Sequence, residues 1–142
     1  MADDTLRSVS IERIGFARFE ATNARGGTMV LGEGGDGTDF TALELLLVAL
    51  AGCSAADVDY ITSRRAHPER FAATASGHKV RDVGGNHLVD LELVFRVRFP
   101  AGEDGDAARE ALPRVVAQSH DRLCTVTRTL ERASPVSSRV EG

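Results

Sequence analysis

Two cysteines, Cys53 and Cys124, are the residues of this chain best suited to covalent chemistry. They allow three readings: inert core residues, a static disulfide, or a redox pair in which one thiolate attacks and the other closes a disulfide. The opening MADDTLRSVS has neither a basic leader nor an apolar stretch, so the chain is expected in the cytoplasm, where thiols are held reduced and a static disulfide is disfavoured. Cys53 stands among small residues, Ala49, Gly52, Ala55 and Ala56. That setting suits a packed, hydrophobe-like cysteine, and it also leaves room for a substrate or another element beside the sulfur. Asp57, one helical turn on, is expected to raise the thiol pKa unless a cation offsets it, so a reactive Cys53 requires an arginine from elsewhere. Cys124 follows the polar run Gln118-Ser119-His120-Asp121-Arg122 and is expected to open a helix, where backbone N–H groups lower a thiol pKa; a partly buried cap cysteine is the plain alternative. The two are 71 residues apart, so only tertiary structure can bring them together.

Other chemistries find less support. The histidines His67, His78, His87 and His120 lack metal-binding spacing, and two lone cysteines do not make a cysteine-rich zinc site; no metal and no cofactor is expected. Gly32 to Gly37 is glycine-rich, but it lacks the GK[ST] ending of a phosphate loop and carries Glu33 and Asp36, which repel phosphate. His120 is either a base near Cys124 or a dipole partner at a helix end, and Arg96 and Arg98 read as the solvated side of a strand. A net charge of −4, one lysine, no Trp and one Tyr argue against a nucleic-acid partner. The apolar run Leu43 to Ala51 is too short to span a bilayer and reads as a buried core helix, so no membrane partner is expected.

The elements that must position the cysteines follow from periodicity. With 142 residues, 42% hydrophobic and 27% charged, the chain reads as one globular domain over 1–142. Thr5 to Ile14, Gly15 to Ala21 and Thr28 to Leu31 read as a three-stranded antiparallel meander, with turns near Ile14-Gly15 and at Asn23-Ala24-Arg25-Gly26-Gly27. Phe40 to about Arg65 reads as a long central helix capped by Asp39 or Thr38. Phe71 to Val80 and His87 to Phe99 read as strands joined by a hairpin at Arg81 to Asn86. Asp106 to His120 is helical with a kink or restart at Pro113, Cys124 to Arg132 is a short helix, and Ser134 to Val140 is a candidate final edge strand. This order describes an α+β fold.

The segment Phe40 to Val58, containing Gly52-Cys53-Ser54-Ala55-Ala56-Asp57-Val58, resembles the central-helix signature of the OsmC/Ohr family. Leu123-Cys124-Thr125-Val126, preceded by Ser119-His120, resembles that family's second cysteine motif, and the general OsmC-like branch is the most similar. The resemblance implies an intertwined homodimer of α+β subunits with antiparallel sheets and a long central helix. It implies a thiol-dependent peroxidase in which Cys53 attacks an organic hydroperoxide, Cys124 resolves the sulfenic acid as a disulfide, and an external dithiol, in this family often a dihydrolipoyl group, restores both. Arg25 matches the family's activating arginine best, with Arg18 as the fallback. The family's peroxidase branches place an arginine-holding glutamate ten residues before the first cysteine; here that residue is Leu43, and Glu44 stands nine before. Nine steps of about 100° put Glu44 on the helix face opposite Cys53, so it is either a helix-start charge or a contact across the dimer. Thr125-Val126 replaces the Pro-Tyr of the hydroperoxide-resistance branch. The same residues also fit a non-catalytic ligand-binding or interaction dimer with structural cysteines, or thiol chemistry on a non-peroxide electrophile.

Overall fold

Alternation in the first forty residues yields three short strands, β1 (Val9–Gly15), β2 (Arg18–Asn23) and β3 (Thr28–Leu31), in an antiparallel β1-β2-β3 sheet. The computed structural model describes residues 3–34 and 37–142, so Gly35 and Asp36 of the glycine-rich loop lie outside the described residues. It divides into two compact units, Met1–Leu46 and Leu47–Gly142. In the first unit the β1–β2 turn falls at Phe16-Ala17, where Ala17 adopts φ 51. The β2–β3 turn is tied by Asn23, whose Oδ1 accepts from the backbone N–H of Arg25 (3.1 Å) and of Gly27 (2.9 Å). Gly26 supplies the left-handed conformation this turn needs (φ 88), as glycine does without steric cost.

Helix α1 (Ala42–Thr62) begins at the end of this unit. Its cap is Thr41, not Asp39 or Thr38. Thr41 Oγ1 accepts from the Glu44 N–H (3.1 Å) while Glu44 Oε1 accepts from the Thr41 N–H (2.9 Å), a reciprocal capping box that satisfies two otherwise orphaned donors. Asp39 is instead engaged by Arg18 at 2.6 Å. The helix stops at Thr62, three residues short of the expected end. It is long and apolar enough to cross a membrane by length and composition alone, a test that the shorter run Leu43 to Ala51 fails and that core helices of soluble proteins also pass.

In the second unit β4 (Arg70–Asp82) and β5 (Gly85–Arg98) form one long antiparallel hairpin with Arg96 and Arg98 on its exposed face. Of the kink or restart expected at Pro113, the restart does not occur: helix α2 (Glu103–Gln118) continues through it, and it begins three residues early. That early start depends on Gly105, because a Cβ there would lie 1.7 Å from the Pro100 carbonyl oxygen. Beyond α2 the chain widens into a π turn, Ser119–Leu123, before α3 (Thr125–Glu131). The core packs Val58 of α1 against Ala111 and Val115 of α2, flanked by Phe71 and Phe95, whose rings meet edge to face at 6.2 Å. Ser134 to Val140 is not a strand: Val136 and Val140 are fully exposed, and no strand among the described residues pairs with the segment. The α+β class with antiparallel sheets stands as expected.

Candidate functional site

Cys53 lies in the middle of α1, partly buried, and Cys124 is the fully buried N-cap of α3; both are free thiols. Folding α1 against the segment after α2 makes them neighbours, which their spacing in sequence left open. The immediate surroundings of the Cys53 sulfur are the Cys124 thiol and the backbone N–H groups of Val126 and Thr125, in the first turn of α3.

These neighbours act in opposite directions. Burial is the largest influence and pushes the Cys53 thiol above its ordinary value of about 9. The Val126 N–H opposes that rise, the adjoining Cys124 thiol adds to it, and the Thr125 N–H again opposes it. Asp57, expected to be the source of a raised thiol, is directed elsewhere: its Oδ2 accepts a hydrogen bond from Ser119 Oγ at 3.0 Å. The Cys124 sulfur accepts from the Thr127 N–H (3.4 Å) and from Thr127 Oγ1 (3.2 Å), so it serves as the helix cap that a Ser or Asp more often supplies. Its burial is complete, beyond the partial burial that the sequence suggested.

Sequence reasoning missed the polar contacts that join these elements. Ser54, next to Cys53, and Ser119, five residues before Cys124, are both buried, and their hydroxyl oxygens lie 3.0 Å apart. Ser119 also accepts the Cys124 N–H at its carbonyl (2.8 Å), the five-residue hydrogen bond that defines the π turn. The available signal was a pair of serines beside the two cysteines, one within an otherwise apolar helix.

A cavity of about 500 Å³ opens beside the site, walled by Leu50, Leu91, Leu93, Phe95 and Leu130. Ser54 and Thr127, the residues touching or adjoining the cysteines, line it as well. His120 stands at its edge with Nδ1 on Asp121 (2.9 Å) and Nε2 near Glu131 (3.4 Å). The hydrogen bond that His120 donates to Asp121, aided by Glu131, raises the His120 pKa, so what this pairing adds is present below the ordinary histidine value and fades as pH rises through the raised one. His120 is thus held by two carboxylates, and among the described residues it makes no hydrogen bond to Cys124.

In the first unit, Arg25 is exposed in the β2–β3 turn and forms no ion pair among the described residues. Arg18 is bound to Asp39, which leaves Arg25 as the more available guanidinium of the two. Glu44 takes the helix-start position through its bond to the Thr41 N–H.

The sequence model of the family described as OsmC-like protein matches residues 35–139. An uncharacterized protein of Mycobacterium tuberculosis is 32% identical over 132 residues, covering 92% of this chain and 93% of the relative. Among solved structures, an OsmC-like protein of unknown function from Vibrio cholerae is similar with a TM-score of 0.73 at 13% identity, covering 89% of this chain and 94% of that one. The organic hydroperoxide resistance protein of Bacillus subtilis is similar with a TM-score of 0.54 at 13% identity, covering 87% and 90%. Likeness at these identities bears on the fold.

Proposed function

This chain belongs to the OsmC-like protein family, and from that premise we propose that it is a thiol-dependent peroxidase for organic hydroperoxides, built as one OsmC-like domain over 1–142 and acting in the cytoplasm. The observation that carries the reading is the meeting of Cys53 and Cys124 from two distant motifs. The Cys53 thiolate attacks the terminal peroxide oxygen and the O–O bond breaks, giving an alcohol and a sulfenic acid. The Cys124 thiol then displaces water to form a disulfide, and an external dithiol of the dihydrolipoyl kind returns both cysteines to thiols while it becomes a cyclic disulfide. The apolar cavity beside the pair suits the carbon skeleton of an organic rather than an inorganic peroxide. Its test is peroxide consumption with a dithiol reductant, cumene hydroperoxide against hydrogen peroxide. Faster loss of the organic substrate supports the reading, and no consumption of either refutes it.

This chemistry needs a thiolate, and burial opposes one by favouring the neutral thiol. The proposal therefore assigns Arg25 as the activator, which lowers the Cys53 pKa and orients the peroxide. Arg25→Ala is expected to lower the rate at pH 7 about a hundredfold and to move the thiolate titration, followed by ultraviolet absorbance, upward. Arg18→Ala leaves both nearly unchanged. Equal effects of the two substitutions would remove Arg25 from the role.

The raised Cys53 pKa also favours a second reading, a non-catalytic binding dimer with packed cysteines. Alkylation at neutral pH separates the two, since an activated thiolate reacts fast and a packed thiol hardly at all.

A homodimer is part of the proposal because large apolar side chains lack cover within this chain. Phe16 is 92% exposed, Val9 73% and Leu6 67%, while Val48 and Tyr60 of α1 are exposed as well. Sedimentation is expected to give twice the 15.2 kDa chain mass, and a monomer at micromolar concentration would contradict it.

A further inference from the structure

We propose that Ser119 is a positioning residue that clamps Cys124 over Cys53, with Asp57 as its anchor; this rests on the thiol-pair reading and adds to it the device that sets the pair's geometry. Ser119 has one hydroxyl proton, and Asp57 Oδ2, an obligate acceptor when ionised, takes it at 3.0 Å. The proton in the 3.0 Å contact with Ser54 must then come from Ser54. The chain of donors therefore runs one way, from Ser54 through Ser119 to the Asp57 carboxylate, and both of its ends stand on α1, in the turn that follows Cys53.

The other end of Ser119 holds the second cysteine. Its carbonyl accepts the Cys124 N–H at 2.8 Å across the π turn. One fully buried residue thus links the backbone of Cys124 to the helix that carries Cys53, at the point where the chain leaves α2. A π turn at a working site is a recurrent arrangement, and here the wider turn delivers Cys124 in an extended conformation (φ −72, ψ 103) as the cap of α3. Hydrogen bonds to a charged acceptor are the stronger kind, and holding two groups in reacting geometry raises their effective concentration. A loosened clamp should lower that concentration with modest loss of fold, because a freed Ser54 hydroxyl can turn to its own helix carbonyl.

The test is a thiol–disulfide equilibrium with glutathione, which needs no peroxide. Cys53 and Cys124 yield two protons and two electrons to one oxidised glutathione, through a mixed disulfide, and two reduced glutathiones leave. The closed disulfide is counted by alkylation and intact mass. Ser119→Ala is expected to lower the equilibrium constant for closure about tenfold. Asp57→Asn, whose amide oxygen still accepts but carries no charge, falls between the parent and Asp57→Ala, while Asp57→Ala falls as Ser119→Ala does. Val115→Ala, a core substitution that keeps every hydrogen bond of the clamp, lowers thermal stability and leaves the constant unchanged. If Ser119→Ala does not fold, the two Asp57 variants carry the test. A parent-like constant in Ser119→Ala or Asp57→Ala, an equal shift in Val115→Ala, or no disulfide in the parent at any glutathione ratio overturns the proposal. A chain that closes its disulfide normally and consumes no hydroperoxide refutes the peroxidase reading and leaves the clamp in place.

Discussion

Cys53→Ser is expected to lower organic hydroperoxide consumption by about a thousandfold or more, with the fold intact. Serine replaces the thiol by a hydroxyl of similar size in a partly buried position whose neighbours on the helix are small, so packing changes little. The chemistry changes completely. A hydroxyl is not ionised at neutral pH and forms no stable S–O product, so attack on the O–O bond has no nucleophile. Consumption is measured with excess dithiol, and the thermal midpoint confirms that the variant is folded. A folded Cys53→Ser chain that removes peroxide at the parent rate would show that the activity lies elsewhere.

Cys124→Ser is expected to separate the two halves of the cycle. The first peroxide is still reduced, because Cys53 remains, and the Ser side chain can still accept from Thr127 and cap α3. Resolution is lost. Even an effective concentration of about 1 M for Cys124 exceeds a millimolar external monothiol about a thousandfold, so the sulfenic acid on Cys53 should persist about a thousand times longer. One equivalent of hydroperoxide followed by a dimedone trap should label the variant nearly fully and the parent hardly at all. Excess peroxide should carry the variant on to the irreversible sulfinic acid, while the parent is protected as its disulfide. Equal labelling of both chains would mean that Cys124 does not resolve Cys53.

The two cysteines were legible from residue types, and the frame around them from periodicity. The strict alternation of Leu91, Leu93, Phe95 and Val97 became β5, and the apolar run from Ala42 became α1. What failed to show were features decided by tertiary contact. Propensity places a proline at a break, yet α2 absorbs Pro113, whose missing N–H costs one hydrogen bond within a helix held by Ala111 and Val115 in the core. The valines of Ser134 to Val140 have strand spacing, and a strand needs an edge to pair with, which the sequence does not supply. Asp39 and Thr38 have capping side chains, but Asp39 is drawn to Arg18, and Thr41 with Glu44 completes the cap instead. The π turn has no propensity signature at all. Ser119 meets α1 through its hydroxyl while its carbonyl accepts the Cys124 N–H that closes the turn, contacts that exist only once α1 and the end of α2 are brought together.

The activation of Cys53 is where fold and chemistry pull apart. Burial and Cys124 raise its pKa, and the N–H groups of Val126 and Thr125 offset only part of that rise. A peroxidase on this frame requires a further positive charge, which is why the thiolate titration of Arg25→Ala and the neutral-pH alkylation rate carry so much weight.

The most direct measurement is intact mass and peptide mapping after one equivalent of cumene hydroperoxide without reductant. The account predicts that the chain loses the mass of two hydrogens, that a single Cys53–Cys124 cross-link accounts for the loss, and that a dithiol reverses it. Two unmodified thiols beside unconsumed hydroperoxide would contradict it.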